Sequence, residues 1–256
     1  MESRHIYRLF GIALCTVALA GIPLRAQAPT AAASSAATGS EFGIEIAPST
    51  LGIEGLVAAR LTKSLNVRAG VDLFGISHSF DDNGVTYTGH VDMRSAQATL
   101  DWYFWKSLHL SPGVLFYNGN QVTGSAQVPG GQSFTLNGVT FYSAAANPVN
   151  GSGTLTLGKA GPMLLLGVGN PVPRGAGHFS TVLDVGAAYV SAPNATLALS
   201  GSVCDASGAN CAPVSSAPGF QSDLAAQQAT WNSDIRRYRV YPILSLGFSF
   251  SFGHAH

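Results

Sequence analysis

The last segment of the chain, residues 239–252, alternates between apolar and polar residues. Successive side chains of an extended strand point to opposite faces, so the pattern sets an apolar face against a polar one. The segment is also long enough to cross a bilayer at a tilt. It therefore predicts a membrane-crossing strand whose apolar face is formed by Val240, Leu244, Leu246, Phe248, Phe250 and Phe252.

The same alternation recurs in segments that begin near residues 41, 50, 66, 85, 107 and 177. The polar face of a soluble β-sandwich meets water and is usually rich in lysine, whereas Lys63, Lys106 and Lys159 all lie outside these segments. The pattern predicts an all-β, antiparallel, up-and-down transmembrane β-barrel. Its lumen would hold a network of acids and arginines that pair with one another: Glu45, Glu54, Arg60, Arg68, Asp72, Asp92, Arg94, Asp101 and Asp184.

One segment, residues 85–105, changes the phase of its alternation part-way along. Val91 and Met93 lie opposite Asp92, whereas further on Ala98 and Leu100 are the apolar members of the pattern. An extra residue in one strand of an antiparallel pair produces such a switch. We therefore expect a β-bulge between Arg94 and Ala96.

The N-terminal residues 1–28 have the layout of a cleaved secretory signal peptide: a basic leader, an apolar run and a small-residue end. The apolar run is too short to span a membrane. We expect residues 29–40 to form a flexible Ala/Ser-rich N-terminus, residues 41–252 the barrel, and residues 253–256 a C-terminal overhang. Without the signal the chain is slightly acidic and has no basic stripe, which argues against a nucleic-acid partner.

Two cysteines remain after the signal, Cys204 and Cys211, in a stretch rich in Gly, Ser, Asn and Pro that indicates a loop. In an exported chain such a close pair favours a disulfide, with two free thiols as the alternative. No histidine stands near the pair, and His254 and His256 have no further ligands beside them. We therefore expect no metal site and no cofactor.

These features resemble the small Gram-negative outer-membrane β-barrel proteins of the OmpA type. The resemblance rests on the alternation and on Phe248, Phe250 and Phe252, which match the C-terminal signal of these proteins. It implies an outer-membrane location, with outer-membrane lipid and the barrel-insertion machinery as partners. Four residues follow Phe252, where the usual pattern ends in Phe, so either insertion is less efficient or the overhang is tolerated. The resemblance also suggests an interfacial aromatic girdle at Trp102, Tyr103 and Trp105.

The connections predict about eight strands, beginning near residues 41, 50, 66, 85, 107, 153, 177 and 239. Short turns near Lys63, Trp105 and Pro173 would face the periplasm, and long loops near Asp81, at 119–152 and at 192–238 would lie outside. A hairpin turned at Asn137-Gly138 is a second possibility and would raise the count to ten. We interpret residues 195–201 as loop structure leading to the cysteine pair.

Residues 222–236 are typical of a short helix outside the barrel, capped by Ser222, with Leu224, Trp231 and Ile235 on one side.

Three functions are compatible with this fold. The favoured one is a structural or binding scaffold with a plugged polar lumen, in which the long loops carry recognition of an unknown ligand. The alternative is a narrow channel or conduit, for which small lumen residues would leave space: Gly70, Gly113, Ser180, Gly186, Gly247 and Ser249.

A lipid-modifying enzyme is the third and least favoured function. His109 and Ser111 resemble the His-x-Ser pair of outer-membrane lipid A deacylases, but Pro112 stands where that motif has Asn. Alternation also turns both side chains toward the lumen and away from lipid. We therefore expect no enzymatic activity.

Overall fold

The structure of the protein is a computed structural model that describes residues 41–82, 84–174 and 177–252. The predicted signal peptide, the N-terminal Ala/Ser-rich segment and the C-terminal overhang lie outside the described residues. Within the described ranges, no helix is both long and apolar enough to cross a membrane.

The described residues form mostly antiparallel strands and one longer helix. In chain order the strands are β1 (Phe42–Ser49), β2 (Gly52–Arg60), β3 (Leu65–Asp82), β4 (Val85–Trp105), β5 (Leu108–Asn118), β6 (Gln121–Val128), β7 (Ser133–Leu136), β8 (Val139–Ser143), β9 (Val149–Thr156), β10 (Gly161–Val168), β11 (Phe179–Tyr189), β12 (Asn194–Ser200), β13 (Ser202–Cys204), β14 (Cys211–Pro213) and β15 (Val240–Phe252). The helix α1 spans Phe220–Ile235.

Eight of the described strands close into a barrel in the order β1, β2, β3, β4, β5, β10, β11, β15 and back to β1. Every neighbouring pair is antiparallel, and β1 pairs directly with β15, so the strand of Phe248–Phe252 closes the ring. The predicted fold class is therefore confirmed. One end of the barrel, here called the turn end, carries the connections β2–β3, β4–β5 and β10–β11, and the opposite end, here called the loop end, carries the two longest connections, β5–β10 and β11–β15, beside the short β1–β2 turn.

The outer wall of the barrel is apolar because alternate residues of each strand point away from the lumen. In β15 the exposed residues Leu244, Leu246 and Phe248 alternate with the buried residues Ser245, Gly247 and Ser249. Similar rows of half-exposed apolar side chains run along the neighbouring strands. A continuous apolar surface of this kind is suited to lipid hydrocarbon rather than to water.

At the loop end, β3 and β4 extend beyond the other barrel strands and begin a second structure, here called the loop layer. The extension of β4 pairs with β6, which pairs with β9, which pairs with β12. A separate small sheet, β14-β13-β8-β7, and the helix α1 complete the layer. Its apolar core includes Leu136, Val149, Val203, Val214 and Phe220.

Two predicted strand assignments are wrong because of this layer. The sixth barrel strand starts at Gly161 and not near 153, since residues 149–156 form β9 in the extension. Residues 195–201 are not a loop, since most of them belong to β12. Leu197 and Leu199 of β12 pack against the core of the loop layer, so their alternation reflects a core, not lipid.

The hairpin at Asn137-Gly138 is present, and both residues have left-handed backbone angles, with φ 51° and 80°. It joins β7 to β8 in the small sheet, so the barrel keeps eight strands.

The helix is also present, but the expected cap is wrong. Gly219 occupies the N-cap position, and the Ser222 hydroxyl instead donates to the Gly219 carbonyl at 2.6 Å.

The disulfide between Cys204 and Cys211 is formed and joins the paired strands β13 and β14. The intervening turn is organised by Asp205. Its carboxylate accepts hydrogen bonds from the Ser207 hydroxyl and the Asn210 amide. These hydrogen bonds lower the pKa of Asp205 to about 2, and the bond from Ser207 has the larger effect.

The expected bulge is not in β4, which pairs with β3 without interruption from Leu65 to Asp82. One irregularity lies in β5, where Phe116 is the extra residue opposite the step from Ala96 to Gln97, and a second lies near the turn end of β4, where Phe104 is the extra residue. The phase change in β4 has another cause. In the barrel part of β4 the apolar residues form the outer wall. In the extension the apolar residues lie on the inner face, where Val91 pairs with Val122 of β6 and Val122 pairs with Leu155 of β9.

Candidate functional site

The barrel lumen is the candidate site, and its centre is the guanidinium group of Arg68. Arg68 projects inward from β3 and is only 2% exposed. Its Nε lies 2.8 Å from Asp101 Oδ2, and its NH1 lies 2.7 Å from Asp184 Oδ2. Glu45 Oε2 is more distant, at 3.9 Å from Arg68 NH1. One cation from β3 therefore connects carboxylates of β1, β4 and β11 across the lumen, and we call this group the Arg68 network.

His109 belongs to the same network. Its Nε2 lies 2.9 Å from Asp184 Oδ1, so Asp184 binds Arg68 with one oxygen and His109 with the other. Ser111 accepts a longer hydrogen bond, of 3.5 Å, from Arg68 NH2. The alternation of β5 predicts that both side chains face the lumen. It gives no sign that His109 pairs with the carboxylate of Asp184 on β11.

Two further buried acids have neutral hydrogen-bond partners instead of cations, and Asp72 Oδ1 has no hydrogen-bond partner among the described residues. Gln97 donates to the Glu54 carboxylate, and the Ser95 hydroxyl donates to Asp72 Oδ2 at 2.8 Å. Within the described residues, no group of three His, Cys, Asp or Glu side chains is arranged to hold a metal ion. The buried acids of the lumen pair with other side chains of the barrel.

Three of the predicted lumen charges are not part of the Arg68 network. Arg60 is at the turn end, where it donates to the carbonyls of Val172 and Pro173. Asp92 and Arg94 are outside the lumen and pair with each other at 2.9 Å. Because β4 pairs with β3 without interruption, its residues from Tyr87 to Tyr103 keep one phase: the odd-numbered ones, such as Gln97 and Asp101, face inward, and the even-numbered Asp92 and Arg94 point outward.

The three residues predicted to form an interfacial aromatic girdle do not share one environment. Trp102 and Trp105 are 50% and 65% exposed on the outer wall near the turn end. Tyr103 is not part of a girdle, because it faces the lumen, accepts a hydrogen bond from Asn66 and lies under the guanidinium of Arg174. Phe104, between Tyr103 and Trp105, is also exposed on the outer wall. Phe248, Phe250 and Phe252 follow the outer wall of β15 at the turn end, and Phe250 packs edge-on against Phe179.

The cavity beside the Arg68 guanidinium is small. It is lined by Glu54, Gln97, Thr99 and Asp184 among others, and it has a volume of about 10 Å³, which is room for about one water molecule. Toward the loop end an apolar cluster fills the barrel: Leu51, Leu115, Met163, Leu165, Ala188, Val190 and Ile243.

The small lumen residues are sites of close packing. A Cβ atom added to Gly247 would collide with the Glu45 carboxylate, and one added to Gly70 would collide with Gly55 and Leu56. At Gly113 it would collide with Ala98 and Thr99. The space beside these glycines is therefore already occupied.

A pair of alanine substitutions tests this packing. We expect Gly247→Ala to lower the free energy of unfolding by about 1–3 kcal/mol, as overpacking of a filled interior does. Gly55→Ala is the matched control in a barrel strand, since nothing lies within 4 Å of the added Cβ. Urea unfolding of both variants in the same micelles measures the difference. Equal stability of the two variants would contradict a filled lumen.

Known proteins that match this chain were found only among solved structures. No protein-family model matches the chain, and no curated protein sequence matches it. The crystal structure of CarO from Acinetobacter baumannii matches with a TM-score of 0.52 and 20% identity, over 82% of this chain and 97% of CarO. That of CarO2 from the same organism matches with 0.53 and 19%, over 84% and 99%. Both are outer-membrane barrels. The chain has the fold of an outer-membrane β-barrel.

Proposed function

We propose that the protein is an outer-membrane β-barrel scaffold with a sealed lumen, which acts through its loop layer. The observation that carries the proposal is the Arg68 network, which crosses the lumen beside a cavity of only about 10 Å³. Eight-stranded barrels enclose just enough room for side chains. The turn end would face the periplasm, and the loop layer would face the outside of the cell.

The loop layer suits a recognition role because it is ordered by its own contacts. Phe220 of α1 packs edge-on against Phe141 of β8, and the disulfide joins β13 to β14. The side chains of Asn232 and Gln228 in α1 also accept hydrogen bonds from the backbone N–H groups of Ala195 and Leu197 in β12. These bonds cover the outer edge of that strand. A surface supported in this way offers a ligand a preorganised platform.

The two other functions have less support. A conduit needs space that the small lumen residues would leave, and their surroundings are filled. An acyl-transfer enzyme needs His109 to activate Ser111, but His109 Nε2 is engaged by Asp184 and both side chains are fully buried. A membrane lipid outside the barrel has no path to either side chain.

Solute entry into liposomes tests the proposal. Proteoliposomes that contain the folded mature protein are expected to swell in an isotonic solution of a small sugar no faster than protein-free liposomes. A general porin, reconstituted at the same protein-to-lipid ratio, is the positive control. Rapid swelling with this protein would favour the conduit and reject the sealed scaffold.

A further inference from the structure

A polar depression lies on the outer face of β3 and β4, where these two strands leave the apolar wall of the barrel. The register pairs Leu73 with Arg94, Gly75 with Asp92 and Ser77 with His90, and directly opposed residues share a face of the sheet. Because Gly75 has no side chain, the centre of this face is open. The depression has a volume of about 300 Å³ and is lined mainly by residues of this face, with Phe74 and Met93, which the register assigns to the opposite face, contributing at its floor: Leu73, Phe74, Gly75, His90, Asp92, Met93 and Arg94.

The side chains around the depression present hydrogen-bond donors. Arg94 donates from Nε to Asp92 Oδ1 at 2.9 Å, which orients the guanidinium and leaves NH1 and NH2 without a partner among the described residues. The side chain of Arg94 is 63% exposed, whereas that of Asp92 is 13% exposed. His90 is oriented by a 2.7 Å hydrogen bond between its Nδ1 and the Ser77 hydroxyl. A planar guanidinium held in this way suits the oxygens of a phosphate group.

The position of the depression indicates the source of the phosphate. Leu73 is 58% exposed and is the last residue of the apolar outer row of β3, directly below Gly75. The polar depression thus adjoins the end of the apolar wall, which in a membrane would be the level where lipid head groups meet hydrocarbon. A free anion would use only the polar side, whereas a lipid can also lay its acyl chain on Leu73 and the wall below it.

We propose that this depression binds the phosphate head group of a membrane lipid in the leaflet at the loop end. The inference rests on the proposed membrane placement of the barrel. The guanidinium edge of Arg94 and the ring of His90 would face the phosphate, Asp92 would hold Arg94 in place, and the acyl chain would run down the outer wall from Leu73.

Lipid titration of the folded mature protein in maltoside micelles tests the site. Native mass spectrometry measures binding of a short-chain phosphatidic acid to the wild type, Arg94→Gln and Gly75→Val. The valine fills the depression, and it should be tolerated because the nearest atom to a Cβ at Gly75 is 4.0 Å away. Arg236→Gln, an exposed arginine of the loop layer, is the control for loss of one charge.

We expect Arg94→Gln and Gly75→Val each to weaken phosphatidic acid binding about tenfold, or about 1.4 kcal/mol, with no change in Arg236→Gln. Inorganic phosphate at the same concentration should not displace the lipid. Wild-type affinity in both variants, or equal displacement by inorganic phosphate, would overturn the proposal. The readout needs only a folded barrel, so it is independent of whether the lumen admits solutes.

Discussion

Replacing Arg68 with alanine is expected to lower the free energy of unfolding by about 3–5 kcal/mol, because removing one partner of a buried ion pair leaves uncompensated charge behind. The loss is large here since Asp101 and Asp184 both depend on the same guanidinium and are both buried. Equilibrium unfolding by urea in micelles, followed by heat-modifiable gel migration, measures the change.

The matched control for this prediction is Arg236→Ala. Arg236 is exposed and lies just after α1, so removal of its side chain should change stability by less than about 0.5 kcal/mol. If Arg68→Ala were as stable as Arg236→Ala, the Arg68 network would not hold the barrel together, and the sealed lumen would lose its structural basis.

A charge on the outer wall is expected to have the second-largest effect, and the effect should depend on depth. Val185 lies near the middle of β11 and is 52% exposed. In a bilayer, Val185→Arg should cost about 2–4 kcal/mol, the typical penalty for arginine at the midplane of a transmembrane barrel. Unfolding from lipid vesicles is the measurement, because micelles do not impose a defined midplane.

Tyr189→Arg is the depth control on the same strand. Tyr189 ends β11 at the loop end and is 55% exposed, so an arginine there should cost about 0–1 kcal/mol. Equal penalties at the two positions would mean that the apolar wall is not embedded in hydrocarbon as described.

The barrel strands could be predicted from the sequence where one face meets the outer wall and the other meets the lumen. Alternation alone does not identify the barrel strands at the loop end, because an apolar strand face that covers a protein core has the same period of two residues as one that faces lipid. Leu197 and Leu199 illustrate this ambiguity: they alternate like a membrane strand but pack in the loop layer. The same reversal explains why Asp92 and Arg94 were placed in the lumen by their pattern and lie outside it in the structure.

The candidate site could be predicted only in part, for a related reason. Alternation identifies which side chains face the lumen, and Arg68, Asp101 and Asp184 follow from it. It does not identify contacts across the barrel, such as that between His109 of β5 and Asp184 of β11, since these strands are separated by β10. Tyr103 was misplaced because a run of aromatic residues indicates an interface, while its strand position turns it inward.

Single-channel conductance of the folded mature protein in a planar bilayer tests the central claim most directly. With heat-modifiable migration as the control for folding, the sealed lumen predicts no current steps above those of the protein-free bilayer. Discrete and reproducible steps from the folded protein would contradict it.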